Sequence, residues 1–188
     1  MSIDNFYIAL LHHPVYNKRG DIVTTSVTNM DIHDISRAAK SYGVERFYIV
    51  TPIKNQHQFV KRILGHWQKG YGVTYNPSRK EAFDIVQIKS TLEDVVKDIS
   101  GESNSKVHVI TTSAASRKCF TTYKDLKKTI LKDKENYLLV FGTGWGMTDE
   151  VIEGADFSLE PIKGPVDYNH LSVRSAVSIS LDRLFGKR

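Results

Sequence analysis

The 188-residue sequence contains one cysteine and no long apolar run. A single thiol excludes an internal disulfide, and such sparing use of cysteine is typical of a reducing cytoplasm. No apolar run approaches the roughly 20 residues that a membrane-spanning helix needs. The first residues, Met1 to Asp4, lack the basic and apolar regions of a signal peptide. The sequence therefore predicts a cytoplasmic protein outside the membrane.

Motifs for metal and phosphate binding are also missing. The seven histidines show neither an H-E-x-x-H pattern nor the Cys/His spacing of a zinc site, so we expect no metal. There is no G-x-x-x-x-G-K-[ST] loop, and Gly142, Gly144 and Gly146 do not follow G-x-G-x-x-G spacing. These absences make a Rossmann-type nucleotide enzyme the weakest alternative. A loop that binds adenosine through its backbone remains open.

The charge balance is mildly positive. The chain has 26 Lys and Arg against 21 Asp and Glu, a formal charge of +5, with a pI near 9.2. This excess favours an anionic partner, nucleic acid above all, although many basic proteins of this size bind none. The length suits one domain with a full α/β core, and no linker or repeat divides it. We therefore expect a single domain over residues 1–188.

Strand-like and helix-like segments alternate along the chain, which predicts an α/β fold with about five strands in a mostly parallel sheet flanked by helices. The predicted strands are 5–11, 46–50, 106–111, 137–141 and 157–162. The predicted helices are 32–42, 56–68, 80–88, 91–100, 123–131 and 173–185. Residues 15–29 and the glycine-rich 69–77 are predicted to be connections without helix or strand.

Two glycine-containing turns follow predicted strands near the C-terminus. Gly142-Thr143-Gly144-Trp145-Gly146 follows the strand at 137–141, and Lys163-Gly164-Pro165 follows the strand at 157–162. Glycine permits positive φ and leaves no side chain between backbone amides and a ligand. Two such exits would converge on one crevice at the sheet edge, where nucleotide-like ligands bind. A tight turn without a ligand is the simpler alternative.

Three motifs together resemble the SPOUT class of RNA methyltransferases. The first is Asp31-Ile32-His33-Asp34-Ile35-Ser36-Arg37 followed by Gly43. The second is the glycine loop from Phe141 to Gly146. The third is Asn169-His170-Leu171-Ser172-Val173-Arg174-Ser175-Ala176, which leads into the last helix. The resemblance covers the whole chain and is strongest to stand-alone bacterial proteins of this class.

Membership of this class implies a parallel sheet with a deep C-terminal trefoil knot, here about residues 106–188, whose loops hold S-adenosylmethionine. It implies methyl transfer to tRNA or rRNA by a homodimer, leaving S-adenosylhomocysteine. Because ribose-methylating members usually have Asn where this chain has Asp31, ribose 2′-O and base nitrogen both stay open. The cofactor residues implied are Thr111, Thr112, Phe141, Gly142, Thr143, Gly144, Trp145, Gly146, Ile162, Asn169, His170, Leu171 and Ser172.

The resemblance also suggests catalytic and RNA-binding residues. Arg37 would engage RNA phosphate or the nucleophile, Asp31 would accept a proton, and the Ser172 hydroxyl would face the adenosine. The simpler alternatives are a solvated arginine for Arg37 and helix caps for Asp31 and Ser172. For Trp145 the alternative is a place in the core. Four further RNA contacts are predicted from basic charge and not from the resemblance, namely Lys18, Arg19, Arg117 and Lys118; by default they, like Arg37, would be solvated.

The competing function is a catalytically silent RNA-binding module that keeps the same fold. Such a module would have no affinity for the cofactor. It would also be expected to tolerate bulky substitutions at Gly144.

Overall fold

The computed structural model describes residues 5–103, 105–115, 120–133 and 135–187. The strands are β1 (Phe6–Leu11), β2 (Val15–Tyr16), β3 (Ile22–Val23), β4 (Arg46–Val50), β5 (Val86–Lys89), β6 (Val107–Thr111), β7 (Asn136–Gly142) and β8 (Phe157–Ser158). The helices are α1 (Asn29–Ser41), α2 (Lys54–Gln68), α3 (Gly72–Tyr75), α4 (Pro77–Asp84), α5 (Leu92–Ser103), α6 (Tyr123–Lys132), α7 (Asp149–Glu153) and α8 (Val173–Phe185).

Six strands form one parallel sheet in the order β5-β4-β1-β7-β6-β8. The central strands β1 and β7 are almost wholly buried, as near-continuous apolar runs should be in a parallel sheet covered on both faces. One face packs on α1, α2, α4, α6 and α8, and the other on α5 and α7. The predicted α/β class is confirmed.

The order of the strands reverses between β1 and β7. From β1 the chain runs outward to β4 and β5, then crosses to β6 and returns to place β7 between β1 and β6. Loops leaving such a point diverge and open a crevice at the carboxyl ends of the strands. The predicted glycine loop lies at this point. The trefoil knot implied for residues 106–188 remains a prediction.

The helix predicted over residues 80–88 is wrong in its second half. Helix α4 ends at Asp84, and Val86–Lys89 forms the edge strand β5 beside β4. Apolar Val86 and Ile88 alternate with polar Gln87 and Lys89, which is the period of a strand. This strand is the sixth member of the sheet.

Three other segments differ from the predictions. The connection over 15–29 contains an antiparallel hairpin of β2 and β3, and the loop over 69–77 contains the short helix α3. The strand predicted over 157–162 is only two residues long. Pro161 cannot donate a hydrogen bond, so pairing cannot continue through it. None of the described helices has the length and apolar character needed to cross a membrane.

Shortening a central core side chain should test this packing. Leu139 of β7 is fully buried, so Leu139→Ala should lower the free energy of unfolding by about 2–5 kcal/mol through lost burial and a cavity. Leu131→Ala is the matched control, because Leu131 lies on α6 and is 46% exposed. Urea titration of both variants should show a small effect for the control. Equal effects would contradict the assigned core.

Candidate cofactor and RNA site

The glycine loop ties the ends of the two central strands together. The Thr143 amide donates to the carbonyl oxygen of Leu11 at 3.2 Å, and the Thr143 hydroxyl donates to the same oxygen at 3.0 Å. The Thr143 hydroxyl also shares a hydrogen bond with that of Thr25. The side chain of Thr143 is therefore engaged by the β1 side of the site.

The β2–β3 hairpin clamps the same loop. The Trp145 amide donates to the Tyr16 carbonyl at 2.9 Å, and the Tyr16 amide donates to the Gly146 carbonyl at 2.8 Å. Val15 and Met147 form an adjoining antiparallel bridge. The Trp145 side chain is 63% exposed, so the core alternative for this residue is wrong.

Two of the loop glycines are required by the surrounding structure. Gly144 has φ +60°, and a Cβ there would lie 2.8 Å from the Tyr16 carbonyl oxygen. A Cβ on Gly142 would lie 2.7 Å from Cγ of Met147. Gly146 has φ +107°, and a Cβ at that position would meet no atom within 4 Å, so its backbone borders open space. Intolerance of bulky residues at Gly144 therefore cannot distinguish an enzyme from a silent module.

The segments after β6 and β8 meet on the other side of β7. The Leu159 amide donates to the Thr111 carbonyl at 2.8 Å, and the Thr112 hydroxyl donates to the Val140 carbonyl at 3.0 Å. The Asn169 side-chain amide donates to the Ala114 carbonyl at 2.8 Å. Three predicted cofactor residues, Thr111, Thr112 and Asn169, therefore lie on segments that the structure brings together.

The remaining predicted residues of this segment differ in exposure. Ile162 is partly buried against the core, while His170 and Leu171 are exposed. The Ser172 hydroxyl accepts the Ser175 amide hydrogen at 3.2 Å, which is a helix N-cap. The capping alternative for Ser172 is thus confirmed, and a role toward the adenosine stays a prediction.

Asp31 is part of the capping structure of α1. Thr28 is the N-cap: its hydroxyl accepts the Asp31 amide hydrogen at 3.1 Å and donates to the Asp31 carboxylate at 2.6 Å. Nε of Arg174 lies 3.8 Å from Asp31 Oδ1 and 3.9 Å from Asp34 Oδ2. Because Thr28 is the cap and Asp31 is the third residue of α1, the cap alternative for Asp31 is wrong. The role of Asp31 as proton acceptor stays a prediction.

The predicted RNA-binding cations differ in their surroundings. Arg37 is exposed on α1, and no carboxylate of the described residues forms an ion pair with it, so it is free to meet a phosphate. Lys18 and Arg19 are exposed at the tip of the β2–β3 hairpin, where Asn17 shapes the turn. Arg117 and Lys118 lie outside the described residues. Within the described chain, no cluster of His, Cys, Asp or Glu is placed to hold a metal.

Sequence reasoning missed a buried histidine at the end of β1. His12 is fully buried; its Nδ1 lies 2.9 Å from the Thr25 hydroxyl, and Nε2 has no partner among the described residues. Burial lowers the pKa of His12 to about 4, and the nearby Asp31 carboxylate opposes this only in part. His12, Thr25 and Thr143 thus form a neutral polar chain below the glycine loop.

Two surface cavities lie away from these loops. One of about 570 Å³ lies on α1 and α2, and one of about 540 Å³ is lined by Tyr123, Lys124, Lys127, Glu160 and Arg183. Neither contains a predicted cofactor residue. The carboxyl ends of β6, β7 and β8 remain the candidate site, because the predicted cofactor residues after β6, after β7 and around Asn169 lie there.

The hairpin contact at Gly144 should be sensitive to one methyl group. Gly144→Ala places a Cβ against the Tyr16 carbonyl at positive φ, so it should lower the free energy of unfolding by about 2 kcal/mol. Gly164→Ala is the control, because a Cβ there meets nothing within 4 Å. Chemical denaturation should show little change for the control; a neutral Gly144→Ala would argue against the clamp.

His12 should make stability depend on pH. The folded state binds the His12 proton less readily than the unfolded state, so this contribution is lost as pH falls from about 6.5 to about 4. The loss should approach about 3 kcal/mol. The free energy of unfolding of wild type and of His12→Asn is to be measured by denaturant titration at about pH 7 and at about pH 4. Wild type should lose more stability than the variant on acidification; equal losses would contradict the buried neutral histidine.

Comparison with known proteins identifies the family of the chain. Residues 5–186 match the model of a SAM-dependent RNA methyltransferase family. An uncharacterized protein of Aquifex aeolicus is 41% identical over 187 residues, covering 100% of this chain and 91% of that protein. A tRNA (guanine-N(1)-)-methyltransferase of Oleidesulfovibrio alaskensis is 41% identical over 182 residues. That match covers 97% of this chain but only 42% of the relative.

Solved structures share the fold at low sequence identity. A putative methylase family protein from Neisseria gonorrhoeae superposes with a TM-score of 0.66 at 19% identity, covering 98% of this chain and 83% of that one. The SpoU methyltransferase AviRb from Streptomyces viridochromogenes, solved with AdoMet, gives 0.55 at 12% identity, covering 96% and 56%. The resemblance to SPOUT methyltransferases is confirmed. This chain belongs to the SAM-dependent RNA methyltransferase family.

Proposed function

We propose that this chain binds S-adenosylmethionine at the carboxyl ends of β6, β7 and β8 and methylates a nucleotide of tRNA in the cytoplasm. The observation that carries the proposal is the convergence of predicted cofactor segments on one sheet edge, where Asn169 joins the segment after β6. The substrate class rests on the name of the O. alaskensis relative, of which the chain spans 42%. The guanine specificity in the name of that relative is a property of a longer protein and is not carried over to this chain.

The residues at this edge fit such a cofactor. Three apolar residues on the loops that follow β7 and β8 are exposed: Trp145, Val166 and Leu171 are 63%, 66% and 47% exposed. An adenosine could cover part of this surface. The open backbone at Gly146 leaves room for direct contact with main-chain groups. The holding residues would be those of the glycine loop, Ile162 and Asn169 to Ser172.

The bound cofactor supplies an electrophilic methyl group on sulfonium sulfur. The contribution of the chain is to align the RNA nucleophile and to hold its charge, since methyl transfer otherwise needs only the loss of one proton. Exposed Arg37 is suited to bind the phosphate next to the target nucleotide. Asp31 would act indirectly, because its carboxylate fixes the start of α1 and pairs with Arg174.

The enzyme would act as a homodimer, with Arg37 of one subunit facing the cofactor of the other. This arrangement rests on the resemblance to the SPOUT class. Val177, Leu181 and Leu184 of α8 are buried in the subunit's own core, so an interface would have to use other side chains. Met30 at the start of α1 is 59% exposed and available. We also propose that 1–188 forms one domain with its knot at 106–188.

Calorimetric titration with S-adenosylmethionine and S-adenosylhomocysteine tests the cofactor site. We expect one site per chain, and methyl transfer to a tRNA transcript pool. Arg37→Ala should lower the transfer rate about a hundredfold while cofactor affinity stays unchanged, as expected for loss of one charge-stabilising donor.

Lys97→Ala is the matched control, because Lys97 is exposed on α5 across the sheet. A folded protein that binds neither cofactor form would overturn the proposed function and favour the silent module. An equal loss of methyl transfer in both variants would show that Arg37 has no specific role in the reaction.

A further inference from the structure

The positive charge of the chain is concentrated in one segment. Residues 46–80 contain seven Lys or Arg and no Asp or Glu. The other 153 residues hold 19 Lys or Arg against 21 Asp or Glu, a formal charge of −2, so the whole excess of the chain comes from this segment. It comprises β4, α2, α3 and the start of α4. Such asymmetry marks a surface for a polyanion.

Most of these cations have no acidic partner. Arg46 pairs with Asp98 and Lys80 with Asp84. The described residues place no carboxylate within ion-pair distance of the other five, which are Lys54, Lys61, Arg62, Lys69 and Arg79. The charges of Lys54, Lys61, Arg62 and Lys69 are therefore available to an external ligand, whereas Arg79 is engaged with His33 and Trp67.

The same segment forms an aromatic cleft against α1. The cleft has a volume of about 570 Å³ and is lined by Asn29, His33, Phe59, Arg62, Ile63, His66 and Trp67. Phe59, Arg62 and His66 are spaced i, i+3 and i+7 on α2, so they share one helix face. Phe59 is 41% exposed, although phenylalanine is among the residues most often buried.

Arg79 of α4 holds two of the residues that line the cleft, His33 and Trp67. The Arg79 guanidinium lies 5.0 Å from the centre of the Trp67 ring, and its Nη1 lies 2.8 Å from His33 Nδ1. Burial lowers the pKa of His33, and the Arg79 charge lowers it further, so the neutral imidazole can accept this hydrogen bond. His33 meets the Trp67 ring edge-on at 5.5 Å. The aromatic walls are thus preorganised.

A second aromatic surface continues beyond the cleft. Tyr71 and Tyr75 of the α3 region are 77% and 74% exposed, and their rings stack at 6.4 Å. Exposed rings among unpaired cations are the combination that binds single-stranded nucleic acid, since bases stack on the rings and phosphates meet the cations. A second copy of the chain fits poorly, because a two-fold contact would oppose two surfaces of the same charge.

We propose that the cleft and the Tyr71–Tyr75 pair bind unpaired nucleotides of the RNA. Arg62 and Lys69 would hold phosphates, and Phe59 would stack on a base. His33 and Arg37 are one turn apart on α1, so a strand bound at Arg37 can continue into the cleft. The inference rests on the proposed function for its RNA substrate, but binding can be measured without methyl transfer.

Fluorescence anisotropy with a labelled unstructured RNA and a duplex of equal length tests the inference. Phe59→Ala and Arg62→Ala should each weaken binding of the single strand about tenfold, and the duplex much less. Arg62→Ala should also make the slope of log affinity against log salt concentration shallower by about 0.7, which is the value expected for one phosphate contact with a single strand. Lys97→Ala removes the same charge across the sheet and should bind as wild type does.

Each outcome decides the matter. Wild-type single-strand affinity in both cleft variants, or equal losses on the duplex, would overturn the inference. A wild-type dimer that becomes monomeric with Phe59→Ala in sedimentation would make the cleft a protein interface instead. Calorimetry with S-adenosylmethionine separates the two proposals: a protein without cofactor affinity whose RNA binding still depends on the cleft refutes the enzyme and keeps this inference.

Discussion

A close backbone approach between the glycine loop and strand β2 organises the carboxyl edge of the sheet. The Tyr16 carbonyl accepts the Trp145 amide and would touch any Cβ at residue 144. The two segments lie 129 positions apart in the sequence, so this contact closes a large loop through main-chain atoms alone. The polar chain of His12, Thr25 and Thr143 lies directly behind it. Hydrogen bonds thereby join the glycine loop to the N-terminal half of the chain.

The first and last long helices form a second link across the chain. At one end Arg174 of α8 approaches Asp31 of α1, and at the other the Tyr42 hydroxyl donates to Asp182 at 3.1 Å. The two helices therefore run in the same direction. Their N-terminal ends lie on the same side of the sheet, and each such end carries partial positive charge.

Local patterns predicted much of the fold, and contacts between distant residues account for what was missed. Strands β1, β4 and β7 are almost entirely apolar, and β6 has three apolar residues in five, so all four could be predicted from short windows of sequence. Strand β5 has only four residues, in which apolar and polar side chains alternate, and it follows α4 directly. It was therefore predicted as a continuation of that helix. Nothing in the sequence pairs Arg174 with Asp31 or brings Tyr16 to Gly144, because those contacts exist only after folding. The segment 46–80, which has no Asp or Glu, can be identified from the sequence alone. The net charge of the whole chain does not reveal it, because that value averages over all residues.

The two walls of the crevice differ in how firmly they are held. On the glycine-loop side, the amides of Tyr16, Trp145 and Gly146 all donate to carbonyls. From Pro161 to Leu171, in the part of the chain that the structure describes, no amide donates to a backbone carbonyl, and the side chain of Asn169 supplies the visible tether. Backbone without such bonds opens at low free-energy cost. The segment between β8 and α8 is thus the side that can shift at the lower free-energy cost, and the glycine-loop side is the more firmly held.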